Sequence, residues 1–397
     1  MGRSLVRPLD GVTVVAIEQA VAVPFATRQL ADLGARVIKV ERPGVGDFAR
    51  GYDSAVKGLS SNFVWLNRSK ESLTLDLKQP EAQEVLLRLI AKADVFAQNL
   101  APGAADRLGL GAAPLRAAHP RLIVCDVSGY GSTGPYRDRK AYDLLVQAES
   151  GLLSITGTAS ESVKVPISVA DIAAGMYAYS GVLTALFMRE RTGAGTAIEV
   201  SMLEALGEWM GYPMYYTSDG TRSFSRSGAR HAAIAPYGPF ASADGEVVFL
   251  GVQSEREWNV FCEVVLAKPA LASDARFDSN AKRVANLDAL FPEITTVFQR
   301  LSADAIIASL EKATIAYARL NTVQQFAGHP QLQARGRWSE VASPAGQVPA
   351  MIPPVTMTGV APRMDAVPEL GQQTNAILDE LGYASGTIAR WRETGIV

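Results

Sequence analysis

The sequence predicts an α/β fold with a parallel sheet, and three observations carry that expectation. Short apolar, β-branched runs alternate with helical segments over the first half of the chain. The runs are continuous and rich in β-branched residues, as the strands of a parallel sheet are. Helical segments lie between them, supplying the crossovers that parallel neighbours require.

Taken in order, Val12 to Ile17 reads as a strand, Pro24 to Leu33 as a short helix with proline in its first turn, and Arg36 to Val40, after Gly34, as a second strand. Leu73 to Leu77 is strand-like, Pro80 to Ala93 is an amphipathic helix, and Asp94 to Ala97 and Leu122 to Val127 are further strands. A β-like run, Val163 to Val169, delivers Asp171 to the first turn of a helix apolar on nearly every face, through Ile172, Ala173, Met176, Tyr177, Val182, Leu183 and Leu186. Such a helix is expected to be buried. It ends at Arg189, Glu190 and Arg191, where cations suit the negative end of the dipole, and Gly193 and Gly195 turn into a strand, Thr196 to Ser201.

After Glu204 the character changes. Glu208 to Tyr216 is aromatic and apolar, Ser218 to Arg230 is polar, and Tyr237 to Gly251 reads as a hairpin turning at Asp244-Gly245. Helices over Glu255 to Val265, Leu287 to Arg300 and Ala303 to Ala313 complete an expected second, smaller domain. The chain is then helical near Gln324 to Ala327, strand-like at Val355 to Val360, and helical again near Thr374 to Leu381.

Composition narrows the function. With 397 residues, 48% hydrophobic and 20% charged, the chain can bury a large core. A net charge of −2 gives no reason to expect nucleic acid or an anionic membrane as partner. Cys125 and Cys262 lack CxxC spacing, and His119, His231 and His329 are scattered, so no metal site is expected. Residues 1–18 lack the apolar region of a signal peptide, Met1-Gly2 lacks the myristoylation spacing, and no uninterrupted apolar run spans a bilayer; a cytoplasmic location is the expectation.

Asp171 is the acidic group in an oily helix, and two compatible roles fit it. It could cap the helix, accepting from free backbone N–H groups. It could also be a nucleophile, a carboxylate kept ionised by the positive helix end and able to attack an activated carbonyl. The loop Glu41 to Asp47 carries Gly44 and Gly46 but is neither GxGxxG nor a P-loop. Arg42, Arg50, Arg68, Lys70, Lys78, Arg107 and Lys140 follow strand ends, where ligands of open α/β sheets bind; they could meet phosphates there or be ordinary solvated surface.

Six segments in order resemble the class III CoA-transferases, the group of formyl-CoA and carnitine CoA-transferases: LDGVTVVAIEQAVAVPFATRQLADLGARVIKVERPGVGDFAR, ADVFAQNLAPGAADRLGLG, SGYGSTGPY, VADIAAGMYAYSGVLTAL with RTGAGTAIEVSMLEA, ARHAAIAPYGPFASADG and LGQQTNAILDELGY. The resemblance implies a Rossmann-like large domain built from both chain ends, residues 1–215 and 326–397, a small α+β domain with linkers at 216–325, and two subunits interlocked like rings. It places the catalytic aspartate on Asp171. CoA-binding positions fall on Val21, Ala22, Arg42, Leu75, Lys78, Asn99, Leu100, Arg107 and Lys140, with Val21 to Pro24 beside the thioester. CoA enters as a thioester substrate, and no permanently bound cofactor or metal is implied.

Two departures shape the substrate expectation. Val21 stands where formyl-CoA transferases have glutamine, and their glycine-rich small-domain loop has no counterpart, which argues against oxalate as acceptor. The fold also hosts α-methylacyl-CoA racemases, whose proton shuttle uses a histidine where this chain has Tyr142, a group with an ordinary pKa near 10 and ill suited to moving an α-proton. The segments GYDSAVKGLSSNFVWLNRSKESLTLDLK and SGARHAAIAPYGPF look most like members acting on C4 and C5 dicarboxylates, moving CoA from succinyl-CoA to itaconate, mesaconate, malate or citramalate, or within mesaconyl-CoA. Arg50, Tyr142, Arg226, Arg230 and His231 are candidates to meet the acceptor, arginine being suited to a distal carboxylate.

Overall fold

Six strands form one parallel sheet in a computed structural model that describes Arg7–Val397. They are β1 (Thr13–Ile17), β2 (Arg36–Glu41), β3 (Lys70–Thr74), β4 (Val95–Gln98), β5 (Ile123–Ser128) and β6 (Ala197–Ser201). The order β3-β2-β1-β4-β5-β6 is that of doubly wound sheets, with the reversal of direction between β1 and β4. Val15 pairs with Ile38 on one side and Phe96 on the other, so β1 is central and buried on both faces. Helix α1 (Ala22–Asp32) crosses from β1 to β2, and α2 (Pro80–Ile90), with Pro80 at its start and Ala82, Val85, Leu86 and Leu89 turned inward, crosses from β3 to β4. Farther along lie α3 (Asp143–Glu149) and the long α4 (Val169–Thr192), which packs on α1 and β5 before β6.

The chain divides into two compact units. One holds the sheet and comprises the chain through Gly151, Val165–Tyr212 and Gln331–Val397. The other comprises Leu152–Lys164 and Pro213–Pro330, with an antiparallel sheet of β7 (Tyr237–Ala241), β8 (Val247–Gly251) and β9 (Ala316–Arg319) over a core of Trp258, Phe261, Phe277 and Phe298. The C-terminal segment returns to the sheet. Ser72 donates its N–H to Gln373 Oε1 at 2.8 Å and Thr74 to Thr374 Oγ1 at 3.0 Å, at the N-cap and first residue of α5 (Thr374–Glu380). These bonds cover the otherwise open edge of β3.

Several expectations are corrected. The run at 163–169 is not a strand: Pro166 has no N–H, and the backbone of Val165 pairs with a side chain instead. Val355 to Val360 holds only an isolated bridge between Met357 and Val360; the hairpin lies earlier, in Trp338–Ser343 and Gly346–Met351. Strand β3 begins at Lys70, three residues before the expected start, because a charged residue there is neutralised inside the fold. No apolar run was expected to be long enough to span a bilayer, and helix α4 does have the length and composition to cross one, yet its Ala173, Ala174 and Ala178 face is packed in the domain. Its other face is open, with Phe187 60% exposed, so the expected complete burial does not hold for the single chain.

Two of the basic residues read as phosphate ligands or solvated surface are neither. Arg68 makes a two-pronged ion pair with Asp32 at 2.8 and 2.7 Å, and Lys70 reaches Glu18 at 2.7 Å, both pairs buried. Glu18 also lies 3.4 Å from Lys39, which holds Asp47 at 2.7 Å. Burial pulls the Lys70 ammonium down to about 8, against the attraction of Glu18. Asp47 in turn accepts from the N–H of Ala20, a non-glycine residue at φ 59°. That conformation costs on the order of 1 kcal/mol, so the buried charges hold a strained loop directly after β1. Asp47→Ala leaves Lys39 short of its partner and frees the loop; a loss of about 3 kcal/mol in denaturant unfolding is expected.

Candidate active site

The loops after β1 and β4 meet at the switch point of the sheet. Gln19 donates its N–H to Asn99 Oδ1, and Asn99 Nδ2 returns a bond to Gln19 O, both at 2.9 Å. Helix α1 starts in this crevice with Val21 as its N-cap and no side-chain cap. Val21, Ala22 and Val23 are at most 4% exposed, and among the described residues their N–H groups have no acceptor. A buried helix start without partners is the place for a ligand oxygen.

Asp171 is the third residue of α4. One turn on, Gly175 passes so close to α1 that a Cβ there would sit 2.6 Å from the Ala22 carbonyl oxygen. Residues four apart share a helix face, so Asp171 lies on the side of α4 that meets the start of α1. The capping role read from the sequence is not its own. Asp143, from α3, caps the helix by accepting from the Ala170 N–H at 2.8 Å, and the Asp171 carboxylate makes no hydrogen bond or ion pair among the described residues. The expectation of a carboxylate held ionised by the helix dipole is corrected too. Burial, and then the neighbouring Asp143 charge, push the half-buried Asp171 carboxyl up to about 7.

Tyr52 was not found from the sequence. Its hydroxyl is pushed up to about 12 by burial and by the charges of Asp47 and Asp171 and by Tyr142, which places it in the Asp171 neighbourhood. Only its position in GYDSAVKG hinted at it, and nothing in the spacing set it apart.

The remaining candidates divide clearly. Arg42, Lys78, Arg107 and Lys140 are exposed, lie beyond the carboxyl ends of β2, β3, β4 and β5, and form no ion pair among the described residues. Leu75 is buried, with its N–H bonded to Glu41 O at 2.9 Å, and Leu100 donates its N–H to Gln98 Oε1 at 2.7 Å. A cavity of about 590 Å³ opens at the ends of β4 to β6, lined in part by Leu100, Asp106, Asp126, Asp138 and Glu199. Four carboxylates in the lining outnumber its one cation, Arg137, so the exposed cations beyond β2 and β3 are better placed for phosphates. Arg50 is committed elsewhere: it holds Glu41 through two bonds of 2.8 Å and lies 3.7 Å over the Phe63 ring. Tyr142 is 66% exposed just before α3.

In the smaller unit Arg226 is spent on the carbonyls of Thr158 and Ala159, and His231 Nδ1 accepts from the Ala233 N–H while its ring stacks on Tyr237. Arg230 is exposed, 4.1 Å over Phe291, with no ion pair among the described residues. No group of three or more His, Cys, Asp or Glu among the described residues could hold a metal ion.

The model of CoA-transferase family III matches residues 9–374. This chain belongs to that family. It is 31% identical over 401 residues to succinyl-CoA:glutarate CoA-transferase of Homo sapiens, covering 99% of this chain and 90% of that one. It is 32% identical over 393 residues to succinyl-CoA:mesaconate CoA-transferase of Haloarcula hispanica, covering 96% and 98%. To acetyl-CoA:oxalate CoA-transferase of Acetobacter aceti it is 36% identical over 330 residues, covering 83% and 84%. A crystal structure of a CAIB/BAIF family protein from Brucella suis superposes with a TM-score of 0.83 at 32% identity, over 95% of this chain and 100% of that one. The transferase is therefore an enzyme whose reaction moves CoA between acyl groups.

The raised carboxyl of Asp171 has a consequence for stability. Ionising it is harder in the folded than in the unfolded chain, so it costs stability as pH rises from 3.8 through about 7. Asp171→Asn is therefore expected to be more stable than the native protein above pH 7, by on the order of 1–2 kcal/mol after allowance for solvent screening. Thermal melts at pH 8 and pH 4 check this: the gap should be open at the first and closed at the second.

Proposed function

We propose that this transferase moves CoA from succinyl-CoA to a short dicarboxylic acid, such as glutarate, mesaconate, itaconate or citramalate, through an aspartyl-CoA thioester on Asp171. The observation that carries the reading is a half-buried carboxylate free of protein partners, on the face of α4 turned toward the buried, uncapped start of α1. The names of the succinyl-CoA-dependent relatives support the substrate class.

A carboxylate in bulk water is a weak nucleophile, and one taken out of water is stronger. An oxygen of Asp171 attacks the succinyl carbonyl, expelling CoA thiolate and leaving a mixed anhydride. The thiolate attacks the Asp171 carbonyl carbon and releases succinate. The acceptor carboxylate attacks the aspartyl-CoA thioester, expelling the thiolate again. A final attack of the thiolate on the acceptor acyl carbon forms the new thioester and restores Asp171. Each addition creates an oxyanion, and the N–H groups of Val21, Ala22 and Val23 are the open donors for it. Arg42 and Lys78, the exposed cations beyond β2 and β3, would take the CoA phosphates. The open face of α4, with Met176, Tyr177, Phe187 and Met188, is the surface for the second subunit of an interlocked homodimer.

The purified protein, given succinyl-CoA and separately glutarate, mesaconate, itaconate, citramalate, malate or oxalate, should form a dicarboxylyl-CoA detectable by mass spectrometry. Asp171→Ala should lower that rate by on the order of a thousandfold or more. Exchange with oxalate alone would overturn the acceptor class. Isomerisation of mesaconyl-CoA without any free acid would assign the intramolecular reaction instead.

A further inference from the structure

The start of α4 is held by a side-chain clamp that the reaction as written does not use. Gln147 of α3 is fully buried. Its Oε1 accepts from the Val165 N–H at 2.9 Å and its Nε2 donates to Val165 O at 3.2 Å, so the amide grips that residue as a neighbouring strand would. The same Nε2 donates to Asp143 Oδ2 at 2.7 Å, and Asp143 Oδ1 accepts from the Ala170 N–H at 2.8 Å. Two side chains on α3 thereby fix both ends of the six-residue stretch from Val165 to Ala170 that carries the chain into the helix. The residue after Ala170 is Asp171.

We propose that Asp143 and Gln147 are positioning residues for the transferase reaction, fixing the first turn of α4 and so the direction of the Asp171 carboxylate. The proposal rests on Asp171 being the nucleophile. The geometry brings a second effect. Asp143 accepts through both oxygens, one from Ala170 and one from Gln147, and as a carboxylate it also places a like charge beside Asp171 and makes that oxygen a more basic, more reactive one. The titratable groups around Asp171 are Asp143 on α3, Tyr142 just before it, and Tyr52 from the connection between β2 and β3. Of these Asp143 supplies the charge next to the helix start. Gln147 supplies the geometry alone.

The two contributions separate in kinetics. Asp143→Asn keeps an oxygen for the Ala170 N–H, gives up the bond from Gln147 Nε2 and removes the charge: whatever the lost bond does to kcat, the acidic inflection of kcat/KM should move down by about half to one pH unit. Gln147→Met loosens Val165 and keeps the charge: kcat should fall roughly tenfold with the inflection in place and KM for succinyl-CoA within about twofold. A second readout needs no activity. The extra stability that Asp171→Asn shows at pH 8 should shrink when it is measured in the Asp143→Asn background. An unmoved inflection together with an unchanged stability gap would overturn the role of Asp143, and an unaltered kcat in Gln147→Met would overturn that of Gln147. Should the native enzyme exchange no acyl group, the transferase reading fails, and the stability gap still decides whether Asp143 acts on Asp171.

Discussion

The contact between Gly175 and the Ala22 carbonyl is the constraint on which the site depends. Only a residue without a side chain lets α4 cross the start of α1 at that distance. The crossing sets Asp171 on the face that meets three open N–H groups, and neither element could supply the arrangement alone. A nucleophile on one helix and oxyanion donors on another need a rigid crossing, because a misplacement of an ångström is enough to cost most of the rate.

Charges buried behind the loop and a polar clamp behind the helix keep the two sides in register. Glu18, Lys39, Asp47 and Lys70 lie under the loop after β1, each paired, and Asp47 reaches up to the strained Ala20. Such a network contributes little net stability compared with apolar packing, and its value lies in fixing one loop conformation. Asp143 and Gln147 do the corresponding work for α4 with neutral and charged hydrogen bonds. Strain on one side and a disfavoured carboxylate on the other are both costs to folding, and both sit at the proposed chemistry.

Much of the sheet was legible in the sequence, because its inner strands are mostly buried and read as continuous β-branched runs: Val12 to Ile17, Arg36 to Val40 and Leu122 to Val127 lie within a residue of the observed strands. The reading failed where polar groups are neutralised by distant partners. Lys70 reads as a loop residue until Glu18 is seen beside it, Arg68 as solvated until Asp32 is, and Arg50 as a substrate ligand until Glu41 is. Val163 to Val169 has strand-like composition, but a glutamine side chain takes the place of a strand partner. Asp171 stood out as an acid in an apolar helix, whereas Asp143, its actual cap, is an ordinary aspartate in an ordinary helix start and becomes visible only in three dimensions. Tyr52 was hidden for the same reason.

The most direct test of the account is chemical. After incubation with succinyl-CoA and no acceptor, the enzyme is treated with hydroxylamine, digested and analysed by peptide mass spectrometry. An activated aspartyl group is converted by that reagent to a hydroxamate, so the account predicts the modification on Asp171, and its absence when succinyl-CoA is omitted. A hydroxamate on a different carboxylate, or none while acyl exchange proceeds at full rate, would contradict a covalent intermediate on Asp171.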